Sequence, residues 1–141
     1  MPKDPYLESR ILAADPVELI HILYEHAISQ VRMARAALRL GDIQTRATAS
    51  SKAMAAIGEL EGALNFDAGG SISQNLARLY RHMRKRIVDA SVKRDDQPLA
   101  EVETLLQTLD EGWTAMQHAK PAPAASPYSA AAEPVSHSWN A

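Results

Sequence analysis

Gly69-Gly70-Ser71-Ile72-Ser73-Gln74-Asn75-Leu76-Ala77-Arg78-Leu79-Tyr80-Arg81-His82-Met83-Arg84-Lys85-Arg86-Ile87 decides the fold of this chain. Two adjacent glycines accept backbone angles that other residues resist, and they mark a break. Ser71, followed three residues later by Gln74, has the spacing of a capping box and predicts a helix start. Ile72, Leu76, Leu79, Met83, Ile87 and Ala90 then recur at steps of three and four, the period of a helix face turned toward a core. The same helix, expected over about 71–94, carries Arg78, Arg81, Arg84, Lys85, Arg86, Lys93 and Arg94. It is the most basic part of the protein.

Upstream of it, Asp15-Pro16 has the form of an N-cap followed by proline at the first helical position. Val17, Ile20, Tyr24, Ala27, Val31, Ala34 and Leu38 then mark a first helix over 16–40, ended by Gly41. Leu19, Ile22, Leu23 and Met33 widen its apolar stripe, as expected of a helix with two neighbours or a binding face. Asp42 caps a second helix over about 43–65, with Ile43, Ala47, Met54, Ile57, Leu60 and Leu64 on one side and Ala, Ser and Thr on the other. Downstream, Leu99, Val102, Leu106, Leu109, Trp113 and Met116 mark a fourth helix over 98–118. Four amphipathic helices with short connections predict an all-α fold, an antiparallel up-down-up-down four-helix bundle over 16–118.

Two segments flank the bundle. Residues 1–15 read as an arm in which Pro2, Pro5 and Pro16 discourage a long helix. Its Tyr6, Leu7, Ile11 and Leu12 are too apolar for a solvated leader, so the arm is expected to fold back onto the body. Residues 119–141 are rich in Pro, Ala and Ser and bury too little apolar area to offset chain entropy, so they read as a disordered tail. Tyr128 and Trp139 within it admit a docking role, but read rather as stray aromatics.

The chain has 141 residues, enough for one domain with a substantial core, and no cysteine, which excludes disulfides and thiolate chemistry. The N-terminus lacks a continuous apolar stretch and no apolar run approaches membrane-spanning length, so a cytoplasmic protein without membrane insertion is expected. Glu18-x-x-His21 has the spacing of a di-iron ligand pair, but no second pair accompanies it, and no metal or other cofactor is expected. His82 between Arg81 and Arg84 reads as an exposed histidine on a charged face rather than a phosphoryl acceptor. No phosphate loop, nucleophile elbow or zinc-protease motif occurs, so the chain does not read as an enzyme. The basic third helix admits a signalling or nucleic-acid-binding module as the alternative. Asp95, Asp96, Glu101, Glu103, Asp110 and Glu111 follow it, however, and an adjacent acidic helix would neutralise it, so no nucleic-acid partner is expected.

Several blocks taken together resemble the FliS family, the flagellar export chaperones that bind flagellin. Tyr6 and the run Ala14-Asp15-Pro16-Val17-Glu18-Leu19-Ile20-His21-Ile22-Leu23-Tyr24 are similar to its tyrosine-bearing arm and first helix. Gly41-Asp42 is similar to its first turn. The most specific block is Gly69-Gly70-x-Ile72-x-x-Asn75-Leu76-x-x-Leu79-Tyr80-x-x-Met83-x-x-Arg86-Ile87-Val88-x-Ala90. Val92-Lys93-x-Asp95 and Glu101-Val102 with Leu109 and Trp113 follow in order, so the likeness spans about 5–117. Glu25-His26 and Arg81-His82 depart from the usual Asp-Gly and Asp-Tyr.

The resemblance implies a chaperone that holds the disordered C-terminal segment of flagellin, prevents premature polymerisation and delivers it to the export apparatus. It leaves room for an export-gate component as a further partner and for a weak homodimer. The residues expected to meet the partner are Tyr6, Leu7 and Ile11 of the arm, Leu19, Leu23 and Tyr24 of the first helix, and Ile57 and Leu64 of the second. Asn75, Leu76, Leu79, Tyr80, Met83, Arg86 and Ile87 of the third complete the set. The arm is expected to cover the binding groove in the free protein.

Overall fold

A computed structural model of the chain describes residues 5–118 and 126–128. These residues hold five helices and no strand: α1 (Pro5–Ala13), α2 (Pro16–Leu40), α3 (Ile43–Gly62), α4 (Phe66–Lys93) and α5 (Asp96–His118). Each of the four long helices packs against two others, α2 and α4 both lying on α3 and α5. Ile20, Tyr24, Val31, Ile57, Leu60, Tyr80, Met83, Ile87, Val102 and Leu106 meet at the centre, each fully or almost fully buried.

Local chemistry sets most helix ends. The Asp15 carboxylate accepts from the Glu18 amide at 2.7 Å, and Pro16 opens α2 without losing a helical hydrogen bond. Gly41 closes α2 at a φ of +73°, a left-handed angle suited to glycine, and Asp42 accepts from the Thr45 amide at 3.1 Å to start α3. α5 begins at Asp96, two residues before the expected Pro98, because a proline in the first turn forfeits only an amide that has no helical acceptor.

The opening of α4 differs from the sequence reading. The cap is Asn65, whose side chain accepts from the Ala68 amide at 3.0 Å, so one turn forms ahead of the glycines. Gly70 (φ 53°, ψ −126°) then kinks the chain, and the long segment continues from Ser71. The glycine pair breaks the helix as expected, but Ser71 is not its start.

The prolines of the arm bound a helix rather than prevent one. Pro5 occupies the first position of nine-residue α1, and Pro16 holds its predecessor Asp15 extended at ψ 170°. α1 reaches the core through half-buried Ile11, while Tyr6 and Leu12 remain 71% and 82% exposed. The Arg10 guanidinium covers the Tyr6 ring at 5.7 Å and also bonds Glu25 at 3.1 Å. Of the four apolar residues expected to fold the arm back, Ile11 packs on the core and Leu7 is half-buried, while Tyr6 and Leu12 stay exposed.

Candidate functional site

The junction of α3 and α4 leaves main-chain groups that no helix can satisfy, because the last carbonyls and first amides of helices lack partners. The segment Ser126-Pro127-Tyr128 fills this junction. The Asn65 amide donates to the Pro127 carbonyl at 2.8 Å, and the Tyr128 hydroxyl donates to the Leu60 carbonyl at 2.9 Å. Ser73, fully buried on α4, places its hydroxyl 3.2 Å from the Pro127 carbonyl and 2.9 Å from the Asn65 carbonyl. The Tyr128 amide donates to the Ser126 hydroxyl at 3.2 Å, which holds the segment in a tight turn.

Shape matches these bonds. The Tyr128 ring stands edge-on to Trp113 of α5, centroids 5.5 Å apart at 82°, a favoured aromatic geometry. Pro127 is buried against Gly69, where an added Cβ would lie 2.7 Å from the Pro127 Cα. Gly69 is thus required by close approach, and Gly70 by its backbone angle.

Three tyrosines join this site to the core. The hydroxyls of Tyr24 and Tyr80 lie 2.6 Å apart, as do those of Tyr80 and Tyr128. Each hydroxyl has one proton. Tyr128 spends its proton on Leu60, so Tyr80 donates to Tyr128 and Tyr24 donates to Tyr80. Burial pushes all three phenols above their ordinary pKa, so the chain of hydroxyls stays neutral.

The residues expected to meet a partner divide into two groups. Leu19, Leu23, Tyr24, Ile57, Leu64, Tyr80, Met83 and Ile87 lie in the core. Tyr6, Leu7, Ile11, Asn75, Leu76, Leu79 and Arg86 reach the surface in varying degree. Helical spacing selects positions facing the bundle interior, which is why the first group is inaccessible in this conformation. The sequence reading passed over Gly69, Ser73 and Trp113 as site residues and read Tyr128 as stray. The one signal for the last was a proline–tyrosine pair inside an Ala-rich tail. The rest of that tail, apart from 126–128, lies outside the described residues, as do residues 1–4 of the arm.

Five basic residues in the middle of α4 lie beside carboxylates, whereas Arg78 bonds the Asn75 side chain. Arg81 and Arg84 meet Glu61 at 3.0 and 2.6 Å, and His82 and Arg86 meet Glu101 at 2.9 and 2.7 Å. Lys85 reaches Asp89 at 3.7 Å. Hydrogen bonds from His82 and then Arg86 hold the Glu101 carboxyl below its ordinary pKa. Arg35 does the same for Asp96, which it grips through two nitrogens at 2.8 Å. At Glu103 desolvation opposes ionisation, but Arg32 and Arg35 together outweigh it and the pKa falls. The middle of α4 is thus partly neutralised by Glu61 of α3 and Glu101 of α5, whereas Asp96 and Glu103, expected to serve α4, pair with Arg35 of α2, and Asp110 pairs with His21.

His21 turns to carboxylates other than Glu18. Its ring lies 2.7 Å from Asp110 and 3.4 Å from Glu25. Among the described residues no group of three potential ligands is arranged to hold a metal ion, and no helix is long and apolar enough to cross a membrane.

Comparison with known proteins places these observations in a family context. The family model described as Flagellar protein FliS matches residues 2–120. The flagellar secretion chaperone FliS of Salmonella typhimurium is 37% identical over 108 residues, covering 76% of this chain and 80% of that protein. FliSB of Pseudomonas aeruginosa, also a flagellar secretion chaperone, is 33% identical over 112 residues, 79% of this chain and 89% of its own length. The Bacillus subtilis flagellar secretion chaperone FliS is 30% identical over 112 residues, with 79% and 83% covered.

Proposed function

The chain belongs to the FliS family, and from that premise we propose that it is a cytoplasmic chaperone holding the disordered C-terminal segment of flagellin for export. FliS is a chaperone family and not an enzyme family, and a role in flagellar export follows from membership. The finer reading is that binding keeps flagellin from polymerising early and presents it to the export apparatus, with an export-gate component as a second partner.

Family membership carries this proposal, and the surface supports it. Ile72, Leu76 and Leu79 follow one another at steps of four and three on a single face of α4. Ile72 is half exposed, and Leu76 and Leu79 are partly buried against the core. Such a stripe suits an amphipathic segment that docks by its apolar face. We read the ring of long helices as an antiparallel up-down-up-down bundle, since the start of α2 lies by the end of α5, where the Trp113 indole donates to the Val17 carbonyl at 3.3 Å. The opposite ends of the same two helices meet through Arg35 and Asp96. A rigid scaffold of this kind limits ordering to the partner, whose folding cost on binding keeps release feasible.

The test is seeded flagellin polymerisation with and without one equivalent of this protein. The expected result is arrested filament growth, with flagellin recovered as a soluble complex. Growth at the unaltered rate would contradict the proposal.

A further inference from the structure

We infer that Ser126-Pro127-Tyr128 is a tethered stand-in for client: it occupies, in cis, a pocket at the α3–α4 junction that receives an extended stretch of the client's disordered C-terminal segment. This rests on the chaperone reading and names one site within it.

The pocket has the features of a site for an incoming chain. Two of its polar groups, the Asn65 amide and the Leu60 carbonyl, belong to the backbone and pair with main chain or hydroxyl whatever the neighbouring side chains. Its apolar wall is the Trp113 ring, and its floor is the Tyr24–Tyr80 pair in the core. Gly69 clears room for backbone, because any side chain there would strike the Pro127 Cα. A carbonyl followed by an aromatic side chain that ends in a hydroxyl satisfies all of these at once, as Pro127-Tyr128 does, and this is the pair that an extended client stretch has to present.

The present occupant suits displacement. It holds the pocket through three residues and is joined to α5 by Ala119-Lys120-Pro121-Ala122-Pro123-Ala124-Ala125, a composition typical of linkers rather than of core elements. A tether of this length gives an effective concentration of about millimolar. Client evicts the tail once its concentration divided by its own Kd exceeds that effective concentration divided by the tail's Kd, and until then the tail satisfies the amide, the carbonyl and the Tyr80 hydroxyl. The tail thereby weakens apparent client affinity by the reciprocal of the fraction of time that the pocket stands open.

The experiment uses the full-length protein. A fluorescent peptide of the flagellin C-terminal segment is titrated into wild type, Tyr128→Ala and Tyr128→Phe, with folding checked by circular dichroism. Tyr128→Ala is expected to bind about 3- to 30-fold more tightly than wild type, with Tyr128→Phe between them because it keeps the ring and loses the phenol bonds. In a second arm, the absence of native cysteine permits a dye on Ala131→Cys, whose anisotropy is expected to fall as unlabelled peptide is added. Equal affinity for all three proteins with unchanged dye anisotropy would overturn the inference and leave the chaperone reading standing. No binding by any of them would overturn that reading, and the inference with it.

Discussion

The chain carries a proline–tyrosine pair near each end, Pro5-Tyr6 and Pro127-Tyr128, and the two meet opposite fates. Tyr6 is 71% exposed on a short helix, with the Arg10 guanidinium over its ring. Tyr128 is wedged against Trp113, with its hydroxyl on Leu60 and Tyr80, and Pro127 beside it is buried. Local sequence does not separate them. What separates them is what each finds on the bundle. At the α3–α4 junction the Asn65 amide meets the Pro127 carbonyl, the Leu60 carbonyl meets the Tyr128 hydroxyl and the Trp113 ring meets the Tyr128 ring, so the segment is docked through specific bonds. The segment that reads as the less structured of the two is therefore the one held by specific bonds.

This contrast can be broken at its base by Tyr80→Ala. The substitution deletes a fully buried ring and the central hydroxyl of the relay, and should cost about 3–5 kcal/mol in urea unfolding. A much smaller loss would mean that the tyrosines are not the common support of core and tail. Gly69→Ala comes next. Its methyl would collide with the Ser73 hydroxyl and the Pro127 Cα, so a loss of about 1–3 kcal/mol is expected, together with release of Tyr128 from Trp113. Unchanged indole emission in this variant would show that the turn tolerates the methyl. Tyr128→Phe sharpens the contrast by removing hydrogen bonds alone, at about 1 kcal/mol. Tyr6→Ala should sit at the bottom of the scale, within about 0.5 kcal/mol, since the residue is surface-exposed. A loss equal to that of Tyr128→Phe would erase the distinction between the two ends.

Much of the fold was legible because its signals are local. Asp15-Pro16, Gly41 and Asp42 act at the positions where they stand, through two carboxylates, one fixed φ and one left-handed turn. Gly69-Gly70 announced a break, yet the capping asparagine four residues earlier competed with Ser71 and opened the helix first. Apolar spacing found the core and could not tell a core residue from a partner-facing one, which is why Tyr24, Tyr80 and Ile87 were expected at a surface and lie inside. The tail site was illegible for another reason. Its groups come from α3, α4, α5 and a segment beyond α5, and two of them are main-chain atoms of Leu60 and Asn65 that every residue possesses. No pattern in the sequence marks which amide or carbonyl will be left without a partner.

The central claim, that this chain holds the disordered end of flagellin by apolar docking, is tested most directly by calorimetric titration of the full-length protein with a flagellin C-terminal peptide at low and high salt. The account predicts one peptide per chain, a negative heat-capacity change from buried apolar surface, and an affinity that changes little with salt. Absence of binding, or an affinity that collapses as salt rises, would contradict it.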